Sequence, residues 1–304
     1  MSFATTWTQF FPPRDGATLK EANLPSQVGK VFIVTGGSSG IGYELSRILY
    51  GAGGKVYVLT RSKELAEEAI DFPTLRTAAQ QFLDREGPDG RLDVLFNNAG
   101  TGALKDAPRT VQGHEHHFAI NSVGHHLLTR LLTPVLARTA KRSPADSVRV
   151  VWAASVLVEM NSPQGGVRKE YMRDPFGTKD EVELYSSSKA ANWFLASEFA
   201  RRQSADPDAG LFGSGVVHLA GNPGNHSTRI WRKQPAWLMF FINPFLRDPV
   251  HGAETLPTDS FFLQWHPGQR ADLISALKPE EEGGSGRARE YFEWCEEMIK
   301  EFVD

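Results

Sequence analysis

The chain has 304 residues, of which 40% are hydrophobic and 23% charged, and its net charge at pH 7 is −3. This composition is typical of a soluble globular protein with a sizeable core, and the weak charge argues against nucleic acid or an anionic membrane as a partner. The single cysteine, Cys295, leaves no internal disulfide, and the longest late apolar run falls short of the ~20 residues of a membrane span, so we expect a cytoplasmic protein.

The predicted elements alternate between strands and helices. Residues 1–29 contain several prolines and no lasting hydrophobic period, which indicates an N-terminal tail. The predicted strands are KVFIVTGG, KVYVLT, RLDVLFNNAG, VRVVWAAS and SGVVHLAGNPG, and the predicted helices are Tyr43–Tyr50, HHFAINSVGHHLLTRLL, YSSSKAANWFLASEFARR and an amphipathic stretch from Gly286. Buried strands that alternate with helices predict an α/β protein with a Rossmann-like, doubly wound parallel sheet, formed by a single domain over residues 30–304.

The segment TGGSSGIG, residues 35–42, separates the first predicted strand from the first predicted helix. Gly36 permits a tight turn, Gly40 lets the backbone approach a pyrophosphate, and Gly42 lets the helix pack closely on the strand. The free N–H groups of the helix would then bind the phosphates. An ordinary glycine-rich turn is the alternative, but the position between a buried strand and a helix favours dinucleotide binding.

The second predicted strand ends in TRS, and Arg61 lies 19 residues after Gly42. Folds of this type that select NAD carry an acidic residue about 20 residues after the glycines. A guanidinium group instead suits a 2′-phosphate, so the sequence favours NADP(H) over NAD(H). A solvated arginine at the end of a strand is the alternative.

The segment YSSSK places Tyr185 and Lys189 four residues apart, on one face of a helix. A phenol loses its proton near pH ~10, and a neighbouring ammonium favours the phenolate and useful acid–base chemistry. Taken as an isolated pair, an exposed tyrosine and a solvated lysine would be the better interpretation.

Six short motifs, however, follow one another at element boundaries. They are TGGSSGIG, NNAG (97–100), Asn121 within INSVGHH, Ser155 at the end of VRVVWAAS, YSSSK and PGNHST (223–228). In this order they resemble the short-chain dehydrogenase/reductase family, over most of the chain. The leader FFPPRDGATLKEANLPSQVGK and the tail GGSGRAREYFEWCEEMI look like the retinol-dehydrogenase-like branch of filamentous fungi, whose members often serve secondary metabolism.

The resemblance implies roles for four catalytic residues. Tyr185 would exchange a proton with the substrate oxygen, while Ser155 would hydrogen-bond that oxygen and stabilise its developing charge. Lys189 would bind the nicotinamide ribose and acidify Tyr185. Asn121 would hold a water that links Lys189 to solvent. The expected reaction interconverts a carbonyl and an alcohol on a small-molecule substrate.

One segment departs from the family pattern. The family has a longer helix after the second strand and then a third strand with an acidic residue that contacts adenine, whereas here SKELAEEAI leads directly into DFPTLRTAAQQFL. We expect a helix that begins near Asp71, with Asp71 as its N-cap and Pro73 in its first turn. The third, edge strand is then missing, and the second strand becomes the edge of the sheet.

A second shortening follows GAETL, near Pro257. A genuinely shortened enzyme and a mis-spliced coding sequence both agree with two such losses. The alternative function is therefore a truncated, catalytically weak protein that binds a nucleotide or a partner. The family is usually oligomeric, so a homo-oligomer is possible, although the second loss affects the region near the subunit contact.

The glycine turn and the resemblance together assign the cofactor-binding residues. They are Gly36, Ser38, Ser39, Gly40, Ile41, Gly42, Arg61, Asp71, Asn97, Ala99, Gly100, Asn121, Tyr185, Lys189, Pro223, Gly224 and Thr228. Asn97 and Gly100 are expected on the adenosine side, and Pro223 to Thr228 on the nicotinamide and phosphates. Asp71 is included because it could substitute for the missing adenine contact.

The remaining features concern the substrate and metals. Residues 156–184 and 229–257 are expected to wall the substrate pocket, and aromatic residues in the second segment favour an apolar substrate. The histidines of HEHH (114–117) lack the spacing of HExxH, so we expect them, like His125 and His126, to be structural or solvated, with no metal site.

Overall fold

A computed structural model describes residues 20–60, 71–173, 180–205, 215–231, 239–240, 242–255 and 270–303. Within these residues a single sheet of five parallel strands forms in the order β2-β1-β3-β4-β5. The strands are β1 (Val31–Thr35), β2 (Lys55–Leu59), β3 (Val94–Asn97), β4 (Arg149–Ala153) and β5 (Val217–Gly221). The predicted Rossmann-like, doubly wound α/β class is confirmed.

The described helices lie between and after these strands. They are α1 (Gly40–Gly51), α2 (Phe72–Glu86), α3 (His116–Phe118), α4 (Gly124–Ala140), α5 (Leu157–Asn161), α6 (Glu181–Ala205), α7 (Pro249–Thr255), α8 (Ala271–Leu277) and α9 (Arg287–Val303). Short 3₁₀ turns occupy Glu21–Asn23, Lys169–Met172, Arg229–Trp231, Asn243–Phe245 and Glu280–Glu282. A π-helical turn, Ala119–Val123, joins α3 to α4 without a break.

The sheet is buried on both faces, because alternate residues of a strand point to opposite sides. Val31 and Ile33 of β1 belong to a large core cluster shared with α2, α4, α6 and α9. Phe32 and Val34 belong to a smaller cluster shared with α1 and α7. This two-sided burial explains why the strand is a continuous apolar run rather than an alternating one.

The chain reverses direction across the sheet at β1. It passes from β1 through α1 to β2 on one side, and from β2 through α2 back to β3 on the other. Connections between parallel strands are almost always right-handed. Because these two connections run in opposite directions across the sheet, their helices must lie on opposite faces, as α1 and α2 do. The carboxyl ends of β1 and β3 therefore flank the crevice at which such sheets bind ligands.

The edge position of β2 confirms the prediction made from the missing segment. In the described part of the chain no strand pairs with the outer side of β2, and residues 61–70, which follow it, lie outside the described residues. Tyr57 of β2 packs edge-on against Phe82 of α2, with ring centroids 4.9 Å apart. Glu86, at the end of α2, accepts a hydrogen bond from Tyr57 and pairs with Lys55 at 2.5 Å. These contacts join α2 to the edge strand.

Helix α2 begins as predicted. The Asp71 carboxylate accepts hydrogen bonds from the backbone N–H of Thr74 at 3.1 Å and from its hydroxyl at 2.6 Å, and Pro73 lies in the first turn. The second carboxylate oxygen accepts a hydrogen bond from Gln112 at 2.6 Å. Phe72, the first helical residue, is fully buried in the large core cluster. Asp71 thus connects the start of α2 to the loop before α3.

The remaining expectations concern the N-terminal tail, the second shortening, membrane-spanning helices and the C-terminal helix. Residues 1–19 of the predicted tail and the shortened stretch at 256–269 lie outside the described residues. Among the helices that the structure describes, none combines the length and the apolar character that crossing a bilayer requires. The amphipathic C-terminal helix predicted from Gly286 is confirmed as α9.

We expect Asp71→Ala to lower the free energy of unfolding by about 1–2 kcal/mol, because the cap of α2 and the bond to Gln112 are both lost. Asp71→Asn should cost less, since asparagine also caps helices. Burial alone would raise the pKa of Asp71, but the hydrogen bonds from Thr74 and Gln112 lower it overall. The stabilisation is therefore present above the ordinary carboxyl pKa and is lost in acid, as pH falls through the lowered value.

Urea unfolding of both variants at pH 7 and in acid measures these changes. Asp84→Ala is the matched control, because Asp84 is exposed on the same helix and accepts a hydrogen bond from Gln80. Equal costs for Asp71→Ala and Asp84→Ala would contradict the capping role.

Candidate active site

The glycine-rich turn forms a backbone cradle at the start of α1. Gly36 and Gly40 have φ angles of +68° and +55°, a region that favours glycine. A Cβ added to Gly42 would lie 2.6 Å from the backbone carbonyl oxygen of Gly36 and 2.5 Å from the side-chain nitrogen of Asn98, so only glycine fits there. The turn leads from the end of β1 directly into the helix N-terminus, where free N–H groups favour phosphate. These residues fit the pyrophosphate of a dinucleotide.

The other residues predicted on this turn have separate contacts. The Ser38 hydroxyl lies 2.7 Å from that of Thr60, at the end of β2. Ser39 is the N-cap residue of α1, and Ile41 packs against the smaller core cluster. Arg61, on which the NADP(H) prediction depends, lies outside the described residues. Thr60, the residue before it in the sequence, is described and lies beside Ser38.

The NNAG segment follows β3 and turns towards β1. The Asn98 side chain donates to the Thr35 carbonyl at 3.0 Å, and the backbone N–H groups of Asn98 and Ala99 both donate to the Thr35 hydroxyl at 2.9 Å. The Asn97 side chain instead donates to Thr129 of α4 and is fully buried. Asn98, which was not predicted from the sequence, therefore faces the glycine turn, and the cofactor role of Asn97 stays a prediction.

Gly100 lies where Asn121 and Lys189 approach each other. A Cβ at this position would be 3.1 Å from Asn121 Oδ1 and 3.2 Å from Lys189 Nζ. Asn121 Oδ1 accepts from the Thr101 N–H at 2.9 Å, and its amide nitrogen donates to the Thr101 carbonyl and to Ser188 Oγ. Asn121 belongs to the π-helical turn, a feature that is frequent at functional sites.

Tyr185 and Ser155 come together although 30 positions of sequence separate them. Ser155 follows the carboxyl end of β4, Tyr185 lies on α6, and their side chains lie close together. Burial raises the pKa of the Tyr185 phenol above its ordinary value, and the neighbouring Ser155 hydroxyl offsets part of that rise. The net pKa of Tyr185 is raised, and its acidification by Lys189 stays a prediction.

Lys189 is one helical turn further along α6 and only 4% exposed. Its ammonium donates to the Ala153 carbonyl at the end of β4, 3.0 Å away. Asn192 donates to the same carbonyl at 2.8 Å. Burial lowers the pKa of Lys189 to about 8, so its charge is held at a cost in free energy.

The segment after β5 reaches back to the glycine turn. The Thr228 side chain would lie 3.1 Å from a Cβ at Gly40, so the two predicted cofactor segments are in contact. Gly224 has a φ of +99°. The ring nitrogens of His226 lie 2.6 Å from the Pro223 carbonyl and 2.9 Å from that of Asp248, which holds this segment against the start of α7.

The predicted pocket walls are described in part. Trp231 donates its indole N–H to the His226 carbonyl at 2.9 Å, so this aromatic residue supports the segment after β5. Phe240 is 76% exposed. Trp237 and Phe241 lie outside the described residues, as do 174–179, and the apolar nature of the substrate stays a prediction.

The HEHH histidines have structural partners, as expected. His117 Nδ1 lies 2.7 Å from the Glu115 carboxylate, and His117 Nε2 accepts from the Leu104 N–H at 3.2 Å. His114 stacks on Phe72 with ring centroids 5.4 Å apart. In the described ranges no cluster of three or more histidine, cysteine, aspartate or glutamate side chains could hold a metal ion.

Helix α9 packs on the helix that carries Asn121. The Tyr291 hydroxyl lies 2.6 Å from that of Ser122, the residue after Asn121, and Ser122 donates to the Phe118 carbonyl. His126 Nε2 lies 2.6 Å from the Glu296 carboxylate. His126 thus has the structural role expected from the sequence, and α9 supports the π-helical turn.

Comparisons with known proteins agree with this geometry. The family model for short chain dehydrogenases matches residues 30–167. A short-chain dehydrogenase/reductase of Phomopsis amygdali is 38% identical, over 99% of this chain and 98% of that protein. The short-chain dehydrogenase/reductase iacJ of Pestalotiopsis fici is 35% identical, over 99% of each chain.

The crystal structure of an uncharacterised protein from Mycobacterium paratuberculosis has the same fold, with a TM-score of 0.62, 24% identity and coverage of 92% of this chain and 97% of that one. The alignment with the Phomopsis protein spans 344 positions against 304 residues here, so at least 40 of its positions have no counterpart in this chain. This difference agrees with the two shortened segments inferred from the sequence.

We expect Lys189→Met to raise the free energy of unfolding at pH 7 by about 1–3 kcal/mol, because it removes a buried ammonium whose pKa is lowered from 10.5 to about 8. Between those two pH values the unfolded chain binds more protons than the folded one, so wild-type stability rises with pH. The advantage of the variant should therefore shrink from pH 8 upwards. The Ala153 carbonyl keeps its bond from Asn192.

Denaturant unfolding as a function of pH measures this difference. Lys141→Met, at the exposed end of α4, is the control and should show no comparable gain. A Lys189→Met protein that is less stable than wild type at pH 7 would show that burial of the ammonium does not lower the free energy of unfolding.

Proposed function

The chain belongs to the short-chain dehydrogenase/reductase family, and on that premise we propose that it is an NADP(H)-dependent oxidoreductase that interconverts a carbonyl and an alcohol on a small apolar substrate. One observation carries the proposal. The Ser155 hydroxyl and the Tyr185 phenol lie close together, one helical turn from the Lys189 ammonium, at the carboxyl end of the sheet where ligands bind. The family is one of oxidoreductases, whereas the cofactor preference and the substrate are the proposed part.

Tyr185 is proposed as the proton donor and acceptor. A pKa above the ordinary value keeps its phenol protonated at neutral pH, which is the state that reduction of a carbonyl requires. Ser155 lies beside the phenol, and its hydroxyl can stabilise negative charge on the substrate oxygen. The nicotinamide, when bound, supplies or accepts the hydride.

Lys189 and Asn121 are proposed to support that proton transfer. The Lys189 ammonium has three N–H donors, and the Ala153 carbonyl accepts one of them, which leaves others for the ribose hydroxyls of a nucleotide. Its pKa of about 8 also lets it release a proton near neutral pH. Asn121 is fixed by its bonds to Thr101 and Ser188, next to the ammonium.

The preference for NADP(H) is proposed from the end of β2. The hydroxyls of Ser38 in the glycine turn and Thr60 are paired there, and Arg61 is the next residue in the sequence. Two hydroxyls and a guanidinium are groups that bind a phosphate, and a carboxylate at this place would repel it. We further propose, from the resemblance to the fungal branch, a cytoplasmic role in secondary metabolism.

A second candidate function is a nucleotide-binding or interaction protein with weak catalysis. The observation that favours it is the open edge of β2 in the described part of the chain, together with the positions missing relative to the Phomopsis protein. Titration of the protein with NADPH, followed by cofactor fluorescence, tests whether the adenosine half of the site is intact. Absence of binding would favour an interaction protein, and tight binding would argue against a defective adenosine half. Turnover of a carbonyl substrate by the NADPH-bound protein then separates the enzyme from a protein that only binds the nucleotide.

Tyr185→Phe should lower kcat for NADPH-dependent reduction of apolar ketones and aldehydes by at least about a hundredfold, because the proton donor is lost. NADPH binding should weaken far less than kcat falls, because Tyr185 is only one of the assigned cofactor-binding residues. Steady-state kinetics and fluorescence titration measure the two quantities. Tyr50→Phe, on the exposed face of α1, is the control and should keep wild-type kcat. Undiminished turnover in Tyr185→Phe would refute the assigned mechanism.

Arg61→Ala should raise the Kd for NADPH by about ten- to a hundredfold, because a charge-assisted contact to the 2′-phosphate is worth about 1.5–3 kcal/mol. The Kd for NADH, which lacks that phosphate, should stay within about twofold. Arg85→Ala, exposed on α2, controls for loss of a surface charge. Equal weakening of NADPH and NADH would show that Arg61 does not read the phosphate.

A further inference from the structure

A buried histidine beside Asn121 has a polar partner on each ring nitrogen. His125 is 3% exposed on α4. Its Nδ1 lies 3.0 Å from the backbone carbonyl oxygen of Asn121, and its Nε2 lies 3.1 Å from the hydroxyl of Thr35, the last residue of β1. The ring therefore spans the space between the end of the first strand and the π-helical turn.

The partners determine which nitrogen carries the proton. A carbonyl oxygen has no proton to give, so Nδ1 must be the donor to Asn121. Burial lowers the pKa of His125 to about 3, with a smaller contribution from the Lys189 charge, so the ring is neutral and has a single N–H. Nε2 is consequently an acceptor, and the Thr35 hydroxyl must donate to it.

The Thr35 hydroxyl has another acceptor within reach, the Phe96 carbonyl at 3.1 Å. If the proton went there, the lone pairs of Thr35 and of His125 Nε2 would face each other without a proton between them, which is repulsive in a buried site. The arrangement in which Thr35 donates to His125 avoids this repulsion, although a lone pair of Thr35 then faces the Phe96 carbonyl oxygen. We favour it because Phe96 belongs to β3, whose backbone pairs with β1 and β4, whereas in the described part of the chain the Thr35 hydroxyl is the one donor beside His125 Nε2.

The remaining lone pairs of Thr35 accept the N–H groups of Asn98 and Ala99. Donors and acceptors then form one directed chain, from the backbone of the NNAG turn through Thr35 and His125 to the carbonyl of Asn121. Each member of such a chain polarises the next, so the whole is stronger than its isolated bonds. The turn expected at the cofactor and the turn that carries Asn121 are thereby fixed relative to each other.

We propose that His125 is a positioning residue which, as a neutral Nδ1–H imidazole donated to by Thr35, holds Asn121 in register with the NNAG turn. The proposal rests on the proposed function in one respect, because the rate of that reaction is used to measure the effect of His125. His125 is assigned no contact with substrate or cofactor and acts through Asn121.

Four variants test the chain of bonds. His125→Asn can keep a side-chain N–H near the place of Nδ1 but loses the acceptor for Thr35, whereas His125→Leu loses both. Thr35→Val removes only the hydroxyl at nearly constant shape, and Thr35→Ser keeps it. We expect kcat to fall by about ten- to a hundredfold in His125→Leu and Thr35→Val, and less in His125→Asn and Thr35→Ser, since small displacements of a catalytic group are costly.

Coupling between the two positions separates this role from general destabilisation. If Thr35 acts through His125, the double variant His125→Leu/Thr35→Val should lose little more kcat than either single variant. His251→Asn, at an exposed histidine on α7, is the matched control and should keep wild-type kcat. Multiplicative losses in the double variant would overturn the proposal. Should His125→Leu not fold, the same comparison with His125→Asn decides.

Nitrogen-15 NMR of the histidine-labelled protein gives a readout that does not need turnover. His125 should show the Nδ1–H tautomer, with no titration between about pH 5 and pH 9. Thr35→Val should shift its Nε2 resonance, because that nitrogen loses its donor. An Nε2–H tautomer or a titration near neutral pH would overturn the proposal. A wild-type protein that shows the expected tautomer without turnover would instead refute the proposed function.

Discussion

Burial of the Lys189 ammonium is the constraint around which the carboxyl end of the sheet is arranged. A charge removed from water costs several kcal/mol unless dipoles are oriented towards it. Here the Ala153 carbonyl, at the end of β4, accepts a hydrogen bond from the ammonium. Asn121 Oδ1 and Lys189 Nζ would both contact a Cβ atom at Gly100. Three elements must therefore converge within a few ångströms, and the absence of a side chain at Gly100 makes that convergence possible.

Much of the fold was predictable because the sheet is buried on both faces. Residues such as Val31 to Val34 form short, continuous apolar runs, which are typical of the strands of a covered parallel sheet, and glycines at their carboxyl ends mark the turns. The edge position of β2 among the described strands was also predictable, since Asp71 and Pro73 carry the signature of a helix start soon after β2. The π-helical turn was not, because its support comes from Tyr291 on a distant helix and leaves no local pattern.

Some residues of the candidate site could be predicted from the sequence, and others could not. Residues with chemical character or special backbone requirements, such as Tyr185 and Gly42, are visible in a sequence. Asn97 was chosen over Asn98, yet Asn97 is the last residue of β3 and faces the core, so the alternation of side chains along a strand could have pointed to its neighbour. His125 was expected to be structural or solvated, and its partner Thr35 lies 90 positions away, at a distance that no spacing rule detects.

The edge position of β2 also bears on how such a domain tolerates loss. Ser155, Asn121, Tyr185 and Lys189 are held by β3, β4 and the helices on the large core cluster, none of which depends on a neighbour outside β2. Removal of an outer strand would affect the side proposed for the adenosine, while the residues proposed to react keep the elements that hold them. In the proposed function, recognition of the coenzyme and transformation of the substrate therefore depend on separate parts of the sheet, and one could change without disrupting the other.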